Sequence, residues 1–497
     1  MQKLQVVRAV AAIAAVTAAA ALAACGSGSG RGPAGAGLPA SSPAPVTSHP
    51  AAAAAAAAHF KFTGTCAGAA AAYDVTDAGT VAWAAALPGT SSTYQGLQPV
   101  AAGGLAVFAF GNVISARRLT DGGQVWQRVY PRPAGSSAGD VGDLWLWHGE
   151  LIVLIAPTNL GQQTVGMRVQ ALSPATGAVR WTASLGPGDL YNDQVITSGG
   201  VLAVLTETGG PGGLGKLMAF DLNARKLLWS RPYGKDELTD GPTAAGPVIV
   251  MAEHGTVTGF DASTGAVRWT HSRLPAIESV AGPGDLVLLY ELFPQLSPSA
   301  PTVPASRLFP VTGLDALTGA VLWQTRTGGP VDNVAAGDGM IVVGTTGNGR
   351  LTLLRPNGQV VWSVPESVAN GFTWVDTGTD LVYVSSSAEG NVPARVVDRR
   401  LGTGALRWSA ALGDNAYAQV VWPAGGNLVV AEAPGPAGTP AAALAVGQAT
   451  GQVGAPAPLA SPVAVPLTVT GGDTLMELTS APCAEGPGPL ATTASHS

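Results

Sequence analysis

Aspartates recur in a repeated sequence pattern, and a carboxylate is a side chain that enzymes use for metal binding and acid–base chemistry. The five are Asp74, Asp221, Asp261, Asp315 and Asp398. Each precedes a short turn sequence and then a tryptophan, as in "DASTGAVRW" at 261–269. An aspartate that opens a turn accepts hydrogen bonds from the turn amides. We therefore interpret all five as structural and assign no catalytic residue.

The histidines and cysteines do not suggest a metal site. The six histidines, at 49, 59, 148, 254, 271 and 496, lack the spacing of metal ligands. The three cysteines are Cys25, Cys66 and Cys483, and no two of them are adjacent. We predict no metal ligand and no cofactor-binding residue.

The elements that carry the aspartates repeat along the chain. Eight copies of the pattern end in a tryptophan: Trp83, Trp126, Trp181, Trp229, Trp269, Trp323, Trp362 and Trp408. A ninth copy has Gly454 in the tryptophan position. Between the tryptophans lie glycine-rich turns and short hydrophobic runs such as "LAVFAF" at 105–110, which are typical of strands. Each repeat therefore predicts about four short strands, and the fold class is all-β.

The repeated phrase has a physical reason. A single four-stranded sheet leaves both faces exposed, so each repeat must pack on its neighbours through the same parts. The glycine permits the tight turn, and the tryptophan would bury on the order of 200 Å² between sheets. Small residues such as Ala171, Ala219 and Gly313 leave room for an indole ring. Trp145 and Trp147 lie outside the pattern and alternate along a strand, so they point the same way, into the core or towards a contact surface.

The pattern A-x-D-x-x-T-G-x-x-x-W resembles the tryptophan-docking repeat of the PQQ-like (pyrroloquinoline quinone-like) β-propeller family, over nearly the whole chain after residue 60. This resemblance implies a single β-propeller of four-stranded antiparallel blades, with repeats comparable to those of WD40 and YVTN proteins. The family's habit favours eight blades, with seven or nine left open. The family includes quinoprotein dehydrogenases and non-catalytic lipoproteins of the BamB type.

The two ends of the repeat region each supply half of a blade. The end of the chain, "VPLTVTGGDTLMELTSAPCAEG", reads as two strands, and "TCAGAAAAYDVTDAGTVAW" reads as the other two. We expect these strands to share one closing blade, because a propeller otherwise leaves an exposed sheet edge. Cys66 and Cys483 lie in the two pieces, and we predict a disulfide between them. Inert thiols or intermolecular pairing are the alternatives.

The first residues of the chain predict an export signal. Lys3 and Arg8 precede an apolar run that ends at Ala24, which is typical of a secretory signal. "LAAC" at 22–25 resembles a bacterial lipobox, which implies cleavage before Cys25 and a lipid on its thiol. The predicted domains are a signal peptide (1–24), a lipidated tether rich in Ala, Gly, Ser and Pro (25–58), the propeller (59–486) and a tail (487–497).

Composition excludes one class of partner and leaves the function open. The net charge is −6 and no basic block occurs, so nothing favours nucleic acid. We predict a monomeric, lipid-anchored, extracytoplasmic scaffold of the cell membrane that binds another extracytoplasmic protein. A PQQ- and calcium-dependent alcohol or sugar dehydrogenase and a small-molecule or glycan-binding module are the alternatives. The family's catalytic and calcium residues map onto no position here, so we lean against an enzyme.

Overall fold

A computed structural model gives the fold of most of the repeat region. It describes residues 70–76, 80–87, 99–131, 141–155, 166–187, 189–207, 214–234, 242–253, 255–272, 277–282, 284–291, 308–329, 331–337, 339–345, 349–366, 374–376, 379–385, 394–412, 418–421, 426–432, 442–459, 467–470 and 473–479. All of these residues belong to one compact unit. They form strands and turns, so the all-β prediction is confirmed.

The strands form four-stranded antiparallel sheets, numbered here from one in chain order. Sheet one joins both ends of the described chain, in the order β2 (Val81–Leu87), β1 (Ala70–Val75), β36 (Asp473–Thr479) and β35 (Leu467–Thr470). Sheet two contains β3 (Val100–Ala102), β4 (Leu105–Phe110), β5 (Val113–Arg118) and β6 (Gln124–Val129). Sheet three contains β7 (Val141–Trp147), β8 (Glu150–Ile155), β9 (Gly166–Leu172) and β10 (Val179–Pro187).

Sheets four to six continue the series with the same strand order. Sheet four contains β11 (Asp189–Ile196), β12 (Val201–Glu207), β13 (Leu214–Asp221) and β14 (Lys226–Gly234). Sheet five contains β15 (Thr243–Ala245), β16 (Val248–Glu253), β17 (Thr256–Asp261) and β18 (Val267–Ser272). Sheet six contains β19 (Ile277–Ala281), β20 (Leu286–Glu291), β21 (Phe309–Asp315) and β22 (Val321–Thr327).

Sheets seven to nine complete it. Sheet seven contains β23 (Val331–Gly337), β24 (Met340–Thr345), β25 (Arg350–Leu354) and β26 (Val360–Pro365). Sheet eight contains β27 (Trp374–Asp376), β28 (Asp380–Ser385), β29 (Arg395–Arg400) and β30 (Leu406–Ala411). Sheet nine contains β31 (Ala418–Val421), β32 (Asn427–Glu432), β33 (Ala442–Gly447) and β34 (Ala457–Pro458).

Each sheet runs from an inner strand to an outer one. The first strands of neighbouring sheets contact each other, as β15 contacts β19 and β19 contacts β23, so they lie nearest the centre. The fourth strand carries the tryptophan and forms the outer edge. We call the turn between the third and fourth strands of each sheet its docking turn.

Apolar side chains close the sheets into a ring. Nine clusters of described residues each join two successive sheets. The last cluster packs Val429 and Ala443 of sheet nine against Tyr73 of sheet one. Burying both faces of every sheet in this way supplies the favourable free energy that one sheet alone lacks.

The shared closing sheet is confirmed. β1 pairs with β36 in an antiparallel register from Ala70 opposite Thr479 to Val75 opposite Thr474. The number of sheets differs from the favoured eight, because the described residues contain nine four-stranded sheets. The repeat of sheet nine lacks a tryptophan, but its docking turn still accepts Trp408 from sheet eight.

Candidate functional site

The docking turns carry most of the recurring polar contacts, and seven of them accept a tryptophan from the preceding sheet. In sheet six, Gly319 adopts a φ of +70°, and a Cβ there would lie 2.5 Å from Cγ of Trp269. Only glycine fits, because both the backbone conformation and the space exclude a side chain. The same arrangement pairs Trp83 with Gly122, Trp126 with Gly177, Trp229 with Gly265, Trp323 with Gly358, Trp362 with Gly404 and Trp408 with Gly451.

Each of these indoles also donates a hydrogen bond across the junction. Nε1 of Trp269 donates to the Ala316 carbonyl at 2.7 Å. The equivalent acceptors are the carbonyls of Leu119, Pro174, Ala262, Pro356, Leu401 and Gln448. A buried indole N–H without an acceptor would be costly, so this bond fixes where the ring settles.

The accepting residue links three parts of the ring at once. The Ala316 amide donates to the Asp285 carbonyl, in the turn between the first two strands of the same sheet, at 2.8 Å. Its carbonyl accepts Trp269 from the preceding sheet. The equivalent residues Pro174 and Pro356 have no amide hydrogen to donate, so in their sheets only the bond from the tryptophan to the proline carbonyl is formed.

Sheet four departs from the pattern because its docking turn lacks the glycine. Arg225 occupies that position with a φ of +57°. Its guanidinium carbon lies 5.6 Å from the ring centre of Trp181, which is within cation–π range. Nε1 of Trp181 donates instead to Oε2 of Glu150, within its own sheet, at 3.0 Å.

A second contact across the junction comes from the residue two positions after the tryptophan. Nε2 of His271 donates to the Gly319 carbonyl, and Oγ1 of Thr325 donates to the Gly358 carbonyl, both at 2.7 Å. Arg128 makes a longer contact of 3.4 Å with the Gly177 carbonyl. Sequence reasoning missed this position, because histidine, threonine and arginine share no pattern beyond their ability to donate.

Three of the five recurring aspartates open docking turns, as expected. Oδ1 of Asp221 and of Asp261 each accepts two turn amides, and Oδ1 of Asp315 accepts the Thr318 amide. The Thr318 hydroxyl and amide hold the pKa of the Asp315 carboxyl below its usual value. Hydrogen bonds led by the Ser263 hydroxyl lower the pKa of Asp261 in the same way.

The interpretation of Asp74 and Asp398 as turn residues was wrong. Both lie inside the third strand, directly opposite Trp83 and Trp408. The three turn-opening aspartates lie eight residues before their tryptophans, whereas Asp74 lies nine residues before Trp83 and Asp398 ten before Trp408, so another residue opens the turn. In sheet eight that residue is Arg400, whose amide closes the turn by donating to the Ala405 carbonyl.

Asp398 is part of a charged cluster in sheet eight. Its side chain is fully buried, and Oδ2 lies 3.2 Å from Nη1 of Arg407. The same Arg407 nitrogen lies 2.6 Å from Oδ2 of Asp380. Oδ1 of Asp398 has no hydrogen-bond partner in the part of the chain that the structure describes. Burial, and next the negative charge of Asp380, raises the pKa of Asp398 to about 6.

An open cleft lies beside this cluster, at the junction of sheets eight and nine. Its volume is about 410 Å³. The lining residues are Thr379, Asp380, Arg400, Arg407, Gln448 and Ala449. The cleft therefore brings two guanidinium groups and one carboxylate to the surface.

The outer edge of sheet six is apolar and exposed. Leu317 in its docking turn is 37% exposed, and Val321 and Leu322 on β22 are each 57% exposed. We call these three residues the edge patch. The residue before the tryptophan is an arginine paired with an acid in sheets three, five and eight, whereas in sheet six it is Leu322.

The sequence of this chain matches a known protein-family model. A family model described as "Outer membrane protein assembly factor BamB" matches residues 166–291 and 305–435, more than half of the chain. The chain belongs to this family of PQQ-like repeat proteins. No curated protein sequence matches the chain.

Solved structures resemble this family member in fold. BamB from Moraxella catarrhalis is 16% identical with a TM-score of 0.43, covering 67% of this chain and 95% of that one. A eukaryotic initiation factor is 9% identical with a TM-score of 0.53, covering 82% and 98%. The quinohemoprotein alcohol dehydrogenase of Comamonas testosteroni is 13% identical with a TM-score of 0.40, covering 82% and 76%.

Some predicted site residues of this family member lie outside the described residues. These are Cys25, Cys66 and Cys483. Trp145 and Trp147 are described, and both pack against the core between sheets three and four. Within the described ranges no group of His, Cys, Asp and Glu could hold a metal ion. The same ranges contain no helix long and apolar enough to span a membrane.

Proposed function

We propose that the protein is an extracytoplasmic, membrane-associated scaffold that binds another protein of the cell envelope. The family model, whose description names an assembly factor, supports this role. The observation that carries it is the edge patch of Leu317, Val321 and Leu322 on the outer edge of sheet six. Exposed apolar side chains grouped in one place are typical of protein-interaction surfaces.

The edge patch differs from the outer edges of both neighbours: the valine equivalent to Val321 in sheet seven is less exposed, at 45%, and the edge of sheet five carries an ion pair. An outer strand presents unpaired backbone groups, and charged side chains usually protect such an edge from pairing. In sheet five Arg268 follows Val267 and forms an ion pair with Asp261, whereas in sheet six Leu322 follows Val321. β22 is therefore the edge on which a partner strand would find apolar contacts as well as backbone hydrogen bonds.

Cross-linking in intact cells tests this role with a matched pair of variants. Val321 and Val267 hold equivalent positions, each two residues before a tryptophan, and are 57% and 49% exposed. We expect a defined cross-linked adduct to fall by about fivefold or more in Val321→Asp, as for an interface hot spot, and to persist in Val267→Asp. An adduct that survives Val321→Asp, or that is lost equally in both variants, would reject the edge patch.

The membrane association that we propose depends on Cys25. Two acyl chains give stable anchoring, because each buried methylene contributes about 0.8 kcal/mol. Metabolic labelling with a radioactive fatty acid should label the wild-type protein and leave Cys25→Ser unlabelled and in the soluble fraction. A Cys25→Ser protein that remains with the membrane would remove the lipid from the proposal.

This scaffold role requires no cofactor. PQQ with calcium belongs to the dehydrogenase alternative, and a redox-dye assay with both added to the purified protein tests it. Turnover of an alcohol or a sugar above the rate without PQQ would replace the scaffold proposal.

A further inference from the structure

We propose that the cleft between sheets eight and nine is a binding site for a carboxylate group, with Arg400 as the residue that receives it. The cleft and the edge patch lie on different sheets, so this site is independent of the scaffold proposal. The cleft volume of about 410 Å³ lies within the range of small-molecule sites.

An arginine opens the docking turn in sheets two, seven and eight, and of these three arginines the one in sheet eight lines the cleft. In sheets four, five and six this position is an aspartate whose carboxylate accepts the turn's own amides. In sheet eight it is Arg400, which is exposed, lines the cleft and has no ion pair among the described residues. A guanidinium at the wall of a cleft can bind a planar anion when no carboxylate among the described residues already pairs with it.

A second guanidinium is held in place beside it. Arg407 is fixed by Asp380 at 2.6 Å and by Asp398 at 3.2 Å, so its orientation needs no ligand. The opposite wall, from sheet nine, contributes Gln448 and Ala449 and carries no charge. An anion entering the cleft therefore meets, on one wall, Arg400 and the Arg407–Asp380 ion pair, and neutral groups on the other.

The carboxylates behind Arg407 favour a singly charged ligand. Asp380 lines the cleft and Asp398 lies behind it, so the two acids offset the two arginines, and a phosphate with two negative charges gains no extra net attraction but costs more to desolvate than a carboxylate with one. Carboxylate geometry also matches the two-pronged donor edge of a guanidinium. We therefore expect a carboxylate, on a small organic acid or on an acidic side chain, to bind in preference to phosphate.

Protonation of Asp398 should strengthen this binding. The charged groups that face Asp398 are Asp380, Arg400 and Arg407, all of sheet eight, and the facing residues of sheet nine are neutral. Because burial raises the pKa of Asp398 to about 6, acidification through that pH removes one negative charge beside the cleft. The anion then gains attraction, which predicts binding about fivefold tighter at pH 5.5 than at pH 7.5.

Ligand-observed NMR titration of the full-length protein tests the site with defined probes. The probes are pyruvate, which stays ionised across this pH range, and a blocked Gly-Asp-Gly peptide, with inorganic phosphate as competitor. Arg400→Gln should weaken the binding of the preferred carboxylate probe by about tenfold, the loss of one charge-assisted contact. Arg355→Gln is the matched control, since Arg355 is exposed and holds the same turn-opening position in sheet seven.

Each outcome of the titration either supports or overturns the proposed carboxylate site. Binding of pyruvate or of the peptide that depends on Arg400 but not on Arg355 supports the site, and the tighter probe identifies the source of the carboxylate. In Asp398→Asn the binding should persist and lose its pH dependence, which a structural role for Arg400 would not produce. The proposal is overturned by no binding of either probe, by equal losses in the two arginine variants, or by phosphate displacing pyruvate at a lower concentration.

Discussion

The indole of Trp181 donates its hydrogen bond to Glu150 of its own sheet, whereas seven other repeat tryptophans donate to a docking turn of the next sheet. The cause lies across the junction, where Arg225 replaces the glycine that receives a ring. Oε1 of Glu150 is also held, at 3.2 Å, by Arg180. Sheet four is therefore attached to sheet three by packing, by the contact of Arg225 with the Trp181 ring and by a long hydrogen bond of 3.4 Å from Nε1 of Trp147 to Oδ1 of Asn223, without the bond from a repeat tryptophan to a backbone carbonyl.

This difference predicts where two equivalent substitutions act. Trp126→Phe removes the donor to the Pro174 carbonyl and should speed amide exchange in the docking turn of sheet three by about fivefold, for a loss of about 1 kcal/mol. Trp181→Phe removes a bond within sheet three, so the docking turn at 221–226 should exchange at its wild-type rate. Hydrogen-exchange mass spectrometry measures both, and equal acceleration of the two turns would contradict this account.

Two glycines with the same backbone angle separate strain from steric exclusion. Gly265 and Gly284 both have a φ of +68°, but a Cβ at Gly265 would lie 2.6 Å from Cδ2 of Trp229, and a Cβ at Gly284 would meet nothing within 4 Å. Gly284→Ala should cost about 1 kcal/mol from strain alone. Gly265→Ala adds displacement of the ring and should cost about 3 kcal/mol or more. Denaturant unfolding checks the pair, and similar losses would mean that the ring moves aside freely.

The repeat made the docking contacts accessible to sequence reasoning. A glycine followed at a fixed distance by a tryptophan identifies both partners, since each sheet repeats the same junction. Even the exception is visible in the sequence, because "DLNARKLLW" lacks the glycine that Arg225 replaces.

Contacts between residues that are far apart in the sequence could not be predicted from the sequence. Asp398 lies ten residues before Trp408, as Gly259 lies before Trp269, but its burial opposite the ring depends on strand pairing and was missed. Glu366 directly follows the last strand of sheet seven. Its Oε1 lies 2.6 Å from Nη2 of Arg395 and its Oε2 lies 2.9 Å from Nη2 of Arg399, both of sheet eight, and no local sequence pattern joins these residues. The favoured eight blades came from the family's habit, whereas the count of repeat units had given nine.

Asp398 predicts an unusual dependence of stability on pH. Its folded-state pKa of about 6 lies above the ordinary value of 3.8, so the folded state binds a proton that the unfolded state has lost. Between these pH values the folded protein loses stability as pH rises. Asp398→Asn should remove this fall, which we expect to be about 1 to 2 kcal/mol after allowance for solvent screening.

Chemical denaturation of the wild type and of Asp398→Asn across pH 4 to 7 measures this difference. Asp315→Asn is the control of opposite sign, because the pKa of Asp315 is lowered and its contribution is lost as pH falls. A wild type and an Asp398→Asn variant with parallel pH profiles would show that Asp398 is ionised throughout.

The closing sheet makes the predicted disulfide testable. Ala70 lies opposite Thr479 in the register of β1 and β36, Cys66 precedes Ala70 by four residues, and Cys483 follows Thr479 by four. Cys66 and Cys483 lie outside the described residues, and their equal distance in sequence from this pair is the reason for predicting the bond. The bond would join the first and last strands of the ring and should contribute about 2 to 5 kcal/mol.

Single and double substitutions distinguish a bond from two free thiols. Cys66→Ser and Cys483→Ser should each lower the unfolding free energy by the same amount, and the double variant should lose no more than either single variant, since one bond is broken once. Non-reducing mass spectrometry of the wild type should show the linked peptides. Additive losses in the double variant, together with two alkylatable thiols in the wild type, would mean that the ring is closed by strand pairing and packing alone.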